Sequence, residues 1–440
     1  MRQTASSDAL AAEVEELLRR LFPLMRSITG AGLRETHRIL GELAPLERIE
    51  IPSGAQLLDW TVPKEWVFRE AHVTGPDGRR VIDTAAHNLH LVNYSAPFRG
   101  RLSRQALDAH LHSLPEMPDA IPYVTSYYRE DWGFCVTQRL RDSLPDGDYE
   151  VVVDCDLVEG AMTLSEAVLP GESEDEVFFS SYTCHPSLAN DELCAPVAAA
   201  LLLRRLARMP RRRLTYRFAF LPETIGSIAY LARRGQHLKQ HMVAGFTLAN
   251  IGLPRPYRIK RSRRGDSLAD RAAAHLFPHR AVAGGEVPPL IVPFAPVGSD
   301  ERQYCSPGFD LPVVALTRGE AAYPEYHTSL DDLALVSPET VARTVEDLAA
   351  LCALLDRNRR YRNLKPHGEP QLGRYGLYPS KGSRNDRNQQ VVALLWALNQ
   401  ADGAHDLLAT AEKSDLPFDL VAEMAEAAAA KGLLAEITDG

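Results

Sequence analysis

Four segments of this chain carry side chains able to bind a cation or move a proton. SSYTCHPSLANDELCAP holds His185 and Asp191, FAFLPETIGS holds Glu223, PVGSDERQYCSPG holds Asp300, and YPEYHTSLDD holds His327. Two imidazoles with several carboxylates form the ligand set that zinc or a similar divalent ion takes in a catalytic centre. A further carboxylate beside such an ion can take a proton from water, and Glu223 is the candidate for that task. Each residue alone also has an ordinary structural use. His185 could be a satisfied, half-buried histidine, His327 a loop residue, and Asp191, Glu223 and Asp300 helix caps. Their joint occurrence, each after a predicted strand, points instead to one shared centre.

The elements that must position them alternate from about Asp148 onward. EVVVDCDL, EVFFSSYT, LTYRFAFL, VAGFTLANIG and LPVVALTR read as strands. ELCAPVAAALLLRRLARM, GSIAYLARRGQHL, SLADRAAAHLF and the segment from Ser337 to Tyr361 read as helices. Short β-branched runs alternating with helices predict an α/β fold, with a mostly parallel twisted sheet covered on both faces. Ligands of such sheets bind beyond the carboxyl ends of the strands, where the four segments fall. Before this unit come helices over 8–22 and 32–44 and a β-rich stretch from Ile51 to Cys135, in which Gly-Pro-Asp-Gly is a hairpin tip. The division expected is 1–50 for N-terminal helices of the catalytic domain, 51–135 for an inserted β-rich lid module and 136–364 for the catalytic domain. A linker over 365–387 and a small winged-helix-like domain over 388–440 complete it.

Composition excludes several classes. Forty-nine Lys+Arg against 58 Asp+Glu give a formal charge of -9, which argues against a dedicated nucleic-acid binder. The last predicted helix carries Asp419, Glu423 and Glu426 with only Lys431 as a cation, a poor match to phosphates. No apolar run approaches the roughly 20 residues of a membrane helix, and the N-terminus lacks a signal-peptide core. The expectation is a cytoplasmic protein with no nucleic-acid and no membrane partner; a homo-oligomer is left open. The six cysteines form no CxxC pair and are expected to be reduced, Cys184 included.

Two further features have a functional and a plain reading. The run PRPYRIKRSRRGD brings Arg261, Arg263 and Arg264 together, either as a solvated loop or as a clamp for a substrate carboxylate or phosphate. Tyr123, Tyr127, Tyr128, Trp132 and Phe134 are core or interface residues, or the wall of a pocket beneath the lid.

The segments CHPSLANDELCA, LPETIGS, GSDERQYCSPGFDLPVVAL and YHTSLDD resemble, in kind and order, the motifs of the zinc aminopeptidase-like superfamily, the M28-type metallopeptidases. The β module (SGAQLLDWTVPKEW, NLHLVNYSAPF, YVTSYYREDWGFC) and the tail resemble an uncharacterised bacterial branch of it. The resemblance implies that His185 and Asp300 hold one Zn2+, that Asp191 bridges and that His327 holds a second. Two-metal members have adjacent glutamates, one base and one ligand, where this chain has Pro222-Glu223-Thr224. One or two ions are therefore expected, with Glu223 favoured as base. The implied activity is hydrolysis of an amide bond in a small peptide or N-acyl substrate by metal-activated water. The alternatives are a single-metal N-deacylase or cyclising acyl-transfer enzyme of polysaccharide or natural-product biosynthesis, and a non-catalytic, metal-retaining scaffold.

Overall fold

A computed structural model describes residues 2–319, 323–377 and 384–437. The chain divides into two compact units, residues 1–269 with 290–346, and residues 270–289 with 347–440.

The larger unit is built on an eight-stranded sheet. Across it run Glu47–Pro52, Ala161–Leu169, Thr215–Leu221, Glu176–Tyr182, Met242–Leu248, Val313–Arg318, Tyr257–Lys260 and Leu290–Val292. The four central strands, from Thr215–Leu221 to Val313–Arg318, are mutually parallel. Ala161–Leu169 and Glu47–Pro52 join one side antiparallel, and Tyr257–Lys260 joins the other. Every residue of Glu176–Tyr182 and of Thr215–Leu221 is buried, as expected of strands covered on both faces. The helices Cys194–Ala207 and Ile225–His241 pack against this centre, the first through an almost unbroken buried face. The mostly parallel sheet is thus found at the centre, with antiparallel edges that the strand-helix rhythm did not announce.

One strand belongs elsewhere. Asp148–Val158, expected in the α/β sheet, pairs with Glu65–Thr74 and Phe98–Ser103 in a four-stranded antiparallel sheet closed by Arg80–Asp83. The inserted module therefore extends past 135, and Ile51, its expected start, lies in the main sheet. The reason is visible in the residue pattern. Tyr149, Val151, Val153 and Cys155 point inward, while Glu150 and Asp156 are exposed. That alternation suits an antiparallel sheet with one wet face. The Gly-Pro-Asp-Gly turn does close a hairpin, with Gly75 N–H bonded to the Arg79 carbonyl and Gly78 at φ 80°.

The smaller unit contains the helices Arg384–Gln400, Leu407–Ser414 and Phe418–Ala430 and a three-stranded sheet in the order Asp402–Asp406, Arg360–Asn363, Leu434–Ile437. Its middle strand precedes the expected linker, so the 388 boundary is corrected to one before residue 360. Arg360 and Tyr361 had read as the end of a helix, and only pairing with two distant strands makes them extended. Part of the expected linker, 378–383, lies outside the described residues. No helix among the described residues is long and apolar enough to cross a membrane.

Candidate metal centre

His185 follows the fully buried strand Glu176–Tyr182 by a few residues. Its backbone is held by Arg26, itself fully buried, whose Nε donates to the His185 carbonyl at 2.8 Å. Its Nδ1 lies 2.6 Å from Glu192 Oε2, and its Nε2 lies 3.6 Å from Glu223 Oε2. Burial opposes charge on this ring, but Glu192, Asp191 and Glu223 outweigh it and push its pKa up to about 9. A carboxylate on one nitrogen fixes the ring and leaves the other free, the usual support of a metal-binding histidine.

Asp191 sits on a π-helical turn, Ala189–Leu193, between the strand and the helix Cys194–Ala207. Such turns recur at functional sites because they displace one side chain from the helical path. Asp331 anchors the turn by accepting from the backbone N–H of Asn190 and of Asp191, at 2.7 and 3.0 Å. Burial and the charge of Asp191 raise the Asp331 carboxyl to about 6. The Tyr182 hydroxyl donates to Asp191 Oδ1 at 3.0 Å. Asp191 Oδ2 faces His327 Nε2 at 3.2 Å and His185 Nδ1 at 3.9 Å. Burial raises the Asp191 pKa, yet the two histidines more than offset it and hold the group below its ordinary range.

His327 arrives on a loop at φ 57°, a left-handed conformation rare for a non-glycine residue. Thr224, beside Glu223, and Ser187, just past His185, share that geometry at 64° and 47°. Strain of this kind persists where surrounding structure enforces it, and it gathers at sites. The loop is tied to the β module: Tyr123 N–H donates to the His327 carbonyl and Ser329 N–H to the Ile121 carbonyl, both at 2.8 Å. The Tyr123 ring meets His185 and His327 edge-on, with centroids 5.1 and 5.2 Å away. Of the two readings of the aromatic stretch, Tyr123 fits the wall of the site.

Glu223 is half-buried; its Oε1 accepts from Ser299 Oγ at 2.7 Å, leaving Oε2 toward His185. Asp300 is placed differently. Its Oδ1 accepts from Thr224 N–H at 2.7 Å and Ser227 Oγ at 2.8 Å. Burial and the neighbouring Glu223 push its pKa up to about 8. Ligand atoms of His185, Asp191 and His327 lie within 4.8 Å of one another; Asp300 belongs to no such group of three among the described residues.

Asp191 Oδ2 and His327 Nε2 are buried and, though 3.2 Å apart, make no well-directed hydrogen bond; Glu192 Oε1 and Asp300 Oδ2 are likewise buried without one. Orphaned polar atoms of this kind are costly. Two imidazoles and one carboxylate match the three-ligand set of a catalytic zinc with one open position, so these residues fit the ion. Cys184, His185 and Glu192 form a second close group, but the Cys184 thiol is buried and its pKa is raised well above the ordinary value, the protonated and unreactive state.

The expected arginine clamp does not join the cluster. Arg263 and Arg264 are exposed and both bind Asp310, at 2.9 and 3.3 Å, and Arg261 donates to the Gly265 carbonyl at 2.7 Å. The loop satisfies its charges against its own neighbourhood. Arg26, Tyr182, Glu192 and Asp331 went unnoticed in the sequence. For Glu192 and Asp331 a signal existed: each is an acid adjoining or closely following a candidate ligand.

A Clostridium acetobutylicum protein, named provisionally for polysaccharide biosynthesis with an aminopeptidase-like domain, is 39% identical over 422 residues, covering 96% of each chain. A crystal structure from the same species, named provisionally as a peptidase, superposes with a TM-score of 0.92 at 36% identity, over 99% of each chain. A zinc aminopeptidase from Bacillus subtilis shares the fold at 14% identity and a TM-score of 0.54, over 78% of this chain and 94% of its own. Residues 359–436 match a winged helix-turn-helix model. The chain belongs to the family described as Domain of unknown function (DUF4910), whose model matches residues 15–358, and its larger unit has the fold of the zinc aminopeptidases.

Proposed function

We propose that the protein is a metal-dependent hydrolase that cleaves an amide bond in a small peptide or N-acyl substrate, with Zn2+ as its ion. The observation that carries this reading is the convergence of the ligand atoms of His185, Asp191 and His327, beside Glu223. An ion held there would polarise the substrate carbonyl and acidify a water. Glu223 Oε2, held in place by Ser299 on the other oxygen, takes the proton from the attacking water and delivers it to the leaving nitrogen. Glu192 keeps the His185 ring oriented, and Tyr123 and Tyr182 screen it from bulk water.

The test is turnover of a panel of aminoacyl anilides and N-acyl amino acids by the zinc-loaded protein and its Glu223→Gln variant. Loss of about 10²–10⁴-fold in kcat with the ion retained is expected. An ion-loaded protein that turns over none of them points to the scaffold reading. The relative named for polysaccharide biosynthesis favours a second reading, N-deacylation of an acylated amino sugar by the same residues. N-acetyl amino sugars in the panel separate the two. The smaller unit is proposed to take no nucleic acid: the helix Phe418–Ala430 carries no Lys or Arg of its own to neutralise phosphates, and its Asp419 and Glu426 engage Arg357.

A further inference from the structure

Building on the reading of His185 and His327 as metal ligands, we propose that the inserted β module is a fixed brace between them rather than a cover that opens. Asn93 is the positioning residue that closes this brace, although it hydrogen-bonds to neither histidine. Four hydrogen bonds, each of 2.8 Å, lead from one ligand to the other. Tyr123 N–H donates to the His327 carbonyl, and the carbonyl of the next residue, Val124, accepts from Asn93 N–H. The Asn93 side-chain amide then donates to the Arg26 carbonyl, and Arg26 Nε donates to the His185 carbonyl. The two histidines are thereby held at a set separation through their backbones, whatever occupies the space between their rings.

Every polar group of Asn93 is engaged. Its Oδ1 accepts from Ser27 Oγ at 2.6 Å, and its carbonyl accepts from Ser126 N–H at 3.0 Å. The amide has one orientation, because the Arg26 carbonyl only accepts and must face Nδ2, whereas the Ser27 hydroxyl can serve either atom. Asn93, Ser27 and Arg26 are at most 1% exposed, so water cannot replace a bond that opens. Further ties run to both histidine loops. Ile121 N–H donates to Ser329 Oγ at 3.0 Å, and Asn88 Nδ2 donates to Ser187 Oγ at 2.9 Å, two residues past His185. A cover that swings must part from one rim at little cost. This module is bonded at both, and its Tyr123 ring lies against both imidazoles.

The experiment strips the full-length protein with chelator and titrates it with Co2+, following the visible absorption of the bound ion. Wild type is compared with Asn93→Ala, with Ser27→Ala, and with Arg217→Met as a control for plain loss of stability. Asn93→Ala should weaken Co2+ binding by about 10-fold and shift the visible bands, as removal of a group that supports a ligand does. Ser27→Ala, which only frees the amide to turn, should lose less, and Arg217→Met should keep the wild-type affinity. In the ion-free protein, hydrogen exchange read by mass spectrometry should quicken over 183–188 in Asn93→Ala. Circular dichroism confirms that each variant folds; should Asn93→Ala fail to fold, Ser27→Ala decides on the same readings. Unchanged exchange over 183–188, or an equal loss of affinity in Arg217→Met, would overturn the proposal. Unchanged affinity alongside turnover of the amide panel would sink the brace and leave the hydrolase reading standing. A wild type that takes no ion removes the metal reading, and exchange over 183–188 then decides the brace alone.

Discussion

On the face of the central sheet covered by the helix Ile225–His241, Arg217 sits between two buried glutamates. It donates to Glu176 at 2.7 and 2.8 Å and to Glu166 at 2.9 Å. Tyr230 and Arg234 also engage Glu166, and His237 engages Glu176. Past the carboxyl ends of the same strands lie His185, Asp191, Glu223 and His327, also charged or chargeable and mostly buried. The first group leaves no buried side-chain nitrogen or oxygen without a hydrogen bond among the described residues, whereas in the second Asp191 Oδ2 and His327 Nε2, 3.2 Å apart, make no well-directed one. A closed group stabilises one conformation, while an open one keeps atoms in reserve for something that must arrive. Burial and charge do not tell the two apart; satisfaction does.

The largest expected contrast comes from removing ligands at the open group. His185→Ala or Asp191→Asn should lower Zn2+ affinity by more than the ~100-fold typical of losing an outer-shell partner. Titration calorimetry would show it. Unfolding of the ion-free protein should become only modestly easier in Asp191→Asn, because the loss of the attraction to His185 and His327 is partly offset by the relief of burying a charge. A large loss of ion-free stability would place Asp191 among structural residues and erase the contrast.

The reverse pattern is expected at the closed group. Arg217→Met leaves Glu166 and Glu176 buried without their shared cation, and should cost about 3–5 kcal/mol in urea unfolding. Zn2+ content should not change. If the variant lost its ion while still folded, the two groups would be coupled through the strands that carry both.

Two histidines sharpen the comparison at smaller scale. His37 is buried with both nitrogens met, Nε2 by Thr183 Oγ1 at 2.8 Å and Nδ1 by Ser165 Oγ at 2.9 Å. Burial, with a little help from Arg48, holds its pKa down to about 3. The folded ring stays neutral while the unfolded ring takes a proton below about pH 6.5, so this contribution to stability is complete above that pH and is lost as pH falls toward 3. The expected slope is about 1.4 kcal/mol per pH unit, read as the difference between wild type and His37→Gln. Parallel curves for the two proteins would show that the ring charges freely in the fold.

How far the sequence reached follows the same divide. His185 and Glu223 were legible because each follows a strand whose continuous apolar run announces burial on both faces. Asp191 and His327 were legible by their placement in the same strand-end segments. Arg26 was not, because its role is a bond to a carbonyl 159 residues away, which no local pattern encodes. Tyr182 was hidden for the opposite reason, as one more aromatic at the end of a buried strand. The fold was clear at its centre and misplaced at Asp148–Val158, where β-branched residues outweighed the alternating acids that mark a half-wet sheet. Asp300 showed the limit of motif order: it names a residue for the site without saying that one oxygen binds Thr224 N–H and Ser227 Oγ while the other stays buried without a partner.

The smallest effect is expected where the sequence reading was boldest. Arg263 and Arg264 had the density of positive charge that a substrate clamp needs, and the structure turns both toward Asp310. All three side chains are well exposed, so each pair is screened by water and salt and is worth no more than about 1 kcal/mol. Arg263→Ala with Arg264→Ala should shift unfolding by that little and leave Zn2+ content and KM for an anionic amide within about twofold. A rise in KM confined to anionic substrates would show that Asp310 only parks these arginines between encounters. The open group would then extend beyond the ion to a second set of side chains held in reserve by a weak partner rather than by none.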